Sequence, residues 1–310
     1  MSKFINPLTD YGWKLLFGKE ANKAVLIGLL NDILEGEKVI EDLVFLDKEQ
    51  QPEIRGRRMF VYDIYCRTNT GEHIIVEMQK DSQPFFKDRA LFYTAAAIIN
   101  QGRPGDDWQY KIDAVYGVFF LNFRLPDSRN EVRTNVILAN RDTGEMFNDK
   151  FRQIFISLPN FKLQEDECKT NFQRWIYVLK NMETLNQVPF TDDIAVMREL
   201  KEIISVASMD PEKYDLYQAS LKAYRDNLAV ITYKVQEGRA EGIAEGMAKE
   251  RKRSEARIKA AEVKQAKAQA EKVQLETQLL NTAGRLKASG FSIADIMQLT
   301  GLSRETIEQL

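Results

Sequence analysis

Hydrophobic and polar positions alternate along residues 59–80, MFVYDIYCRTNTGEHIIVEMQK. β-branched and aromatic residues fill 59–67 and 73–78, which predicts two strands. Asn69, Thr70 and Gly71 lie between them and supply a turn, with Gly71 able to take a positive φ. One face of this hairpin carries Tyr62, Ile64, Cys66, Ile74, Val76 and Met78 and is fit to pack on a core. The opposite face carries Val61, Asp63, Tyr65, His73, Ile75, Glu77 and Gln79. A three-residue loop sets Thr68 opposite Glu72 and therefore Asp63 opposite Glu77. A two-residue loop would send those two carboxylates to opposite faces.

Elsewhere the period is mostly that of a helix. Helices are predicted at residues 9–18, with Thr9 or Asp10 as the cap, at 21–34, and at 84–100. Further helices are predicted at 169–183, 191–207 and 211–233. Residues 39–46, 135–138 and 151–158 read as strands. The near-continuous apolar run at 111–123, KIDAVYGVFFLNF, is the pattern of a strand buried on both faces. Strands flanked by helices predict an α/β core over residues 1–230.

After residue 230 the pattern changes. Glu237-Gly238, Glu241-Gly242 and Glu245-Gly246 repeat every four residues and align three glycines on one helical face. Each glycine costs about 1 kcal/mol relative to alanine in a helix. Close approach of a second helix would offset that cost, and a hinge is the alternative. Residues 249–272 hold nine basic and four acidic residues without proline or glycine, a solvated helical spacer. Residues 231–280 thus form a long charged helix. Residues 281–310 form a small unit with helix-turn-helix spacing, Ser303 capping its last helix. That last helix offers only Arg304 as a base reader beside Glu305 and Glu308, which suits protein contact at least as well as DNA.

Composition removes several classes of chemistry. The 310 residues are 44% hydrophobic, enough for one sizeable core. The net charge of −2 argues against a wholly basic surface and leaves room for a local basic patch. Cys66 and Cys168 cannot build a zinc site or a disulfide framework by themselves. One histidine, His73, excludes multi-histidine metal sites and leaves no plausible base for a Ser-His or Cys-His triad. Residues 1–10 lack the apolar core of a leader, and no apolar run approaches about 18 residues. A cytoplasmic chain without a membrane segment is expected.

The candidate chemistry is the Asp63–Glu77 pair. Two carboxylates a few ångströms apart repel unless a cation lies between them, and an all-oxygen pocket suits Mg²⁺ or Mn²⁺. A solvated acidic face is the alternative, opposed by the apolar residues that flank both acids. Arg55, Arg57 and Arg58, just upstream, could meet phosphate or belong to a solvated loop. Arg89 and Tyr93 are four apart and share a helix face. There Arg89 could bind phosphate, neutralise a carboxylate or buttress Glu77. Lys80, next to Gln79, is turned to the other face by strand alternation.

An Asp on one strand, followed 14 positions later by Glu-x-Gln on the next, resembles the PD-(D/E)XK nuclease superfamily. More narrowly the chain resembles the Rpn family of bacterial recombination-promoting nucleases, which are transposase-like. TDYGWKLLFG at 9–18, VEMQK at 76–80, FFKDRALFYTAAAI at 85–98 and EGRAEGIAEG at 237–246 follow that family's order. The resemblance implies a PD-(D/E)XK-like mixed sheet flanked by helices, then the long helical tail and the small helical C-terminal unit. It also implies a Mg²⁺- or Mn²⁺-dependent DNA endonuclease. Asp63 and Glu77 would be the metal ligands, and Gln79 would position water. Arg89, Tyr93, Arg57 and Arg58 would bind substrate, and Asp10 would be an accessory acid unless it serves only the helix cap. DNA is the expected partner, with homo-oligomers through the tail. Gln79 replaces the superfamily's usual lysine, and a neutral amide cannot stabilise developing charge as an ammonium does. The alternative function is therefore a weak or inactive nuclease fold acting as a DNA- or protein-binding module.

Overall fold

The computed structural model describes residues 2–50, 60–105, 109–126 and 130–310. Arg55, Arg57 and Arg58 lie outside the described residues. The chain divides into two compact units, Met1–Leu228 and Ala229–Leu310.

The first unit is built on a six-stranded mixed sheet. Its strands are β1 (Leu43–Phe45), β4 (Ile64–Thr68), β5 (His73–Gln79), β6 (Val115–Leu121), β7 (Arg133–Ala139) and β8 (Met146–Ser157), in the order β1-β4-β5-β6-β8-β7. β1, β4 and β5 are antiparallel neighbours, β5, β6 and β8 run parallel, and β7 returns antiparallel to β8. β2 (Glu49–Gln50) and β3 (Phe60–Val61) form a separate two-stranded ribbon.

Both faces of the sheet are covered. On one lie α1 (Asp10–Phe17), α2 (Lys23–Ile33), α4 (Asn171–Asn181) and α5 (Ala195–Ile204). Leu16, Leu26, Trp175, Leu179 and Leu200 pack there with Ile74, Val76, Val118, Phe120, Ile154 and Ile156. On the other lies α3 (Phe86–Ile99), whose Phe86 and Ala90 pack on Phe119 and Phe155, and whose Ala97 packs with Ile75 and Val115. Gly117 lets that helix come close: a Cβ there would lie 2.7 Å from Thr94 Cγ2. Every residue of β6 is buried, as its continuous apolar sequence requires.

The β4–β5 ladder pairs Ile64 with Val76 and Arg67 with His73, the register of a three-residue loop. Gly71 has φ 104° in that loop. Three expectations need correction. The first hairpin strand is not continuous from 59 to 67. It breaks at Tyr62 and Asp63, because Val61 pairs with Glu49 of β2 instead of continuing the main sheet. The break turns Tyr62 toward Tyr65 and Ile75, away from the face of Ile64. The strand expected at 39–46 shrinks to Leu43–Phe45, with Val39 exposed. Lastly, the helices expected at 211–233 and in the tail are one helix, α6 (Pro211–Ala288), which contributes to both units.

In the second unit the end of α6, α7 (Ile293–Thr300) and α8 (Arg304–Gln309) bury Ala283, Ile296 and Ile307 together. Ser292 and Ser303 cap α7 and α8 by accepting from the N–H groups of Asp295 and Thr306. Arg304 pairs with Glu308 at 2.7 Å. Among the described residues no helix is long and apolar enough to cross a membrane.

Candidate active site

Three elements converge on a cleft of about 270 Å³. The first is the start of α1. Thr9, fully buried, accepts from the Gly12 N–H at 3.0 Å and donates to the Asn6 carbonyl at 2.8 Å, which sets Asp10 and Trp13 on the wall. The second is the break before β4, which presents Asp63. The third is the end of β5, with Gln79 and, beyond it, Lys80, Asp81 and Gln83. Asn227, in the part of α6 within the first unit, closes the rim and donates to Asp81 at 2.6 Å.

Asp63 and Glu77 are joined by the backbone. The Asp63 N–H donates to Glu77 Oε1 at 2.9 Å, and the Met78 N–H donates to Asp63 Oδ2 at 2.9 Å. The β4–β5 register, carried one step further, sets the two residues opposite each other. Glu77 is only 4% exposed, so its carboxylate is held away from bulk water. Burial, and then the Asp63 charge, push the Glu77 pKa up to about 8, against the opposing pull of the Asp63 N–H, the Arg89 charge and the Gln79 amide. Burial likewise raises the Asp63 pKa. The Asp10 charge adds to that rise, while the Met78 N–H, Lys14 and Lys80 oppose it.

Gln79 is fixed at both ends of its amide. Its Nε2 donates to Glu77 Oε2 at 3.1 Å, and its Oε1 accepts from the Arg89 guanidinium. Arg89 also donates to Gln83 at 2.8 Å and lies over the Phe86 and Tyr93 rings. Asp63, Glu77, Gln79 and Arg89 are thus one connected set. Asp10 lines the same cleft, exposed and paired with Lys14 at 3.0 Å. Tyr93 packs edge-on to Tyr62, with ring centroids 5.6 Å apart, and does not line the cleft. His73 bonds the Tyr65 hydroxyl at 2.7 Å.

Lys80 departs from the expectation that strand alternation turns it away. β5 ends at Gln79, alternation ends with it, and Lys80 lines the cleft with Asp63. Sequence reasoning also missed Asp81 and Asn227, which carry no motif, and placed Trp13 only within the TDYGWKLLFG helix.

The oxygen-rich donor set fits a hard divalent cation. Among the described residues no three His, Cys, Asp or Glu side chains gather to hold a metal. Mg²⁺ is commonly bound by one or two carboxylates with several waters retained, and a Glu77 carboxyl whose pKa is raised by burial and by the Asp63 charge would be relieved by such a cation.

Residues 7–234 match the family model described as PD-(D/E)XK nuclease family transposase. The chain belongs to that family. The match runs from the residues just before α1 into α6 and includes every element around the cleft of this PD-(D/E)XK chain. Among curated proteins and solved structures nothing matches it.

Proposed function

We propose that this chain is a metal-dependent DNA endonuclease of the recombination-promoting, transposase-like kind, working in the cytoplasm. The observation that carries the reading is the Asp63–Glu77 pair: the Asp63 N–H bonds the buried Glu77 carboxylate at 2.9 Å, and half-buried Asp63 stands on the wall of a polar cleft. Asp63 and Glu77 would hold Mg²⁺ or Mn²⁺, which when bound screens phosphate charge and makes water a better nucleophile. Gln79, oriented by Glu77 and Arg89, keeps a second amide hydrogen with which to orient water. Arg89 thus acts through Gln79, and its cation stands where a lysine at position 79 would be repelled. Lys80 and Lys14 bring positive charge to the cleft, where a phosphodiester would meet it. Assembly through the tail would use the face of Gly238, Gly242 and Gly246, where nothing among the described residues lies within 4 Å of an added Cβ.

Calorimetric titration of Mg²⁺ and Mn²⁺ tests the metal-binding half. Binding heat that disappears in Glu77→Gln agrees with this reading. Equal heat in both proteins, or none in either, contradicts it.

A further inference from the structure

A second groove, of about 340 Å³, opens at the carboxyl ends of the parallel strands. Arg124, Lys162 and Lys180 line it, with Asn122, Leu8 and Pro159 among its walls, and no carboxylate lines it among the described residues. The three cations come from distant places in the chain: the segment after β6, the loop after β8, and the end of α4. Among the described residues none of them pairs with an acid. Lys180 is anchored, its ammonium donating to the Phe161 carbonyl at 2.5 Å. Partial burial lowers its pKa, and the Lys162 charge lowers it further. Like charges gathered without a counter-charge cost stability, and a chain of net charge −2 has no general surplus of cations to account for them.

The groove is joined to the cleft by the sheet. Gln79, Leu121 and Ser157 stand side by side at the ends of β5, β6 and β8. The Asn122 N–H donates to the Gln79 carbonyl at 2.9 Å, and Ser157 Oγ donates to the Phe123 carbonyl at 2.7 Å. Adjacent strands are about 4.8 Å apart, so one or two strand spacings separate the groove from Gln79. At a rise of about 3.4 Å per nucleotide, that is a few nucleotides along one DNA strand. Ligands of open α/β sheets gather at this carboxyl edge.

We infer that the groove of Arg124, Lys162 and Lys180 grips a backbone phosphate of the same DNA whose scissile phosphate enters the Asp63 cleft, an inference that rests on the nuclease reading above. The groove sets where along the strand the DNA is held, and Leu8 and Pro159 give it apolar walls against the sugar.

The test measures binding of a short DNA duplex to the full chain by fluorescence anisotropy across a salt series. Asp63→Asn is the background, so that the duplex stays intact. Adding Arg124→Gln and Lys162→Gln should weaken binding roughly tenfold at moderate salt and reduce the slope of log affinity against log salt by about two. Both side chains are exposed, so the melting temperature should hold. The charge-conserving Arg124→Lys, Lys162→Arg pair should restore affinity. Unchanged affinity and slope would overturn the inference, and so would absence of duplex binding by the parent. Metal-dependent nicking by the unaltered chain, together with an unaffected groove variant, would remove the groove's role and leave the cleft's. Loss of duplex binding in the groove variant, with no nicking by the unaltered chain, would do the reverse.

Discussion

Asp63 donates its backbone N–H to the Glu77 side chain at 2.9 Å, so the bond that positions one acid is made by the residue carrying the other. The pair is therefore set by the β4–β5 register, and a slip of one residue would separate the two carboxylates. Geometry and charge are here in opposition: the backbone brings together two groups that repel.

That opposition has a pH signature. The Glu77 pKa rises from its usual 4.5 to about 8 in the folded chain. The folded state then binds a proton that the unfolded state has released. The resulting stability is fully present below about 4.5 and is lost as pH rises through about 8. In metal-free buffer the melting temperature should fall between those values, and Glu77→Gln should flatten the fall. Adding Mg²⁺ or Mn²⁺ near pH 8 should raise the melting temperature of the unaltered chain alone. Identical pH profiles in the two proteins would mean that Glu77 is ionised like any surface acid.

Arg89 donates to the Gln79 amide oxygen, which under the proposed function is a positioning role distinct from gripping substrate. Arg89→Ala should lower kcat by roughly 10²-fold, as misplacement by about 1 Å can, with KM nearly unchanged. Steady-state kinetics on a short duplex separate the two roles. A rise in KM at constant kcat would assign Arg89 to phosphate binding instead.

Gly238, Gly242 and Gly246 should matter through association. Replacing all three with alanine favours an isolated helix by about 1 kcal/mol per site. Sedimentation equilibrium should nevertheless show weaker self-association, because the added methyl groups would hold a second helix away. Unchanged association with a higher melting temperature would make the glycines a hinge.

Much of the candidate site's geometry was legible where local rules decide the outcome. Asn69-Thr70-Gly71 marked the turn and narrowed the register to two choices, and the observed ladder takes the three-residue one that sets Asp63 opposite Glu77. The apolar run around Val118 announced a strand buried on both faces. The break at Tyr62 was not legible, because every residue of 60–65 except Asp63 favours a strand and the interruption accompanies pairing of Val61 with Glu49. Lys80 was misread because alternation holds only as far as the strand extends. Arg124, Lys162 and Lys180 share no motif, and only the folding of β6, β8 and α4 brings them to one groove.

The most direct test is conversion of supercoiled plasmid to nicked or linear forms by the purified full-length chain, with Mg²⁺ or Mn²⁺ and with a chelator. Cleavage is expected only when the metal is present, and is expected to be lost in both Asp63→Asn and Glu77→Gln proteins that remain folded. Equal cleavage by either variant would contradict the assignment of the carboxylate pair. A folded, metal-loaded parent that leaves the plasmid intact would make the chain a binding module on a nuclease fold.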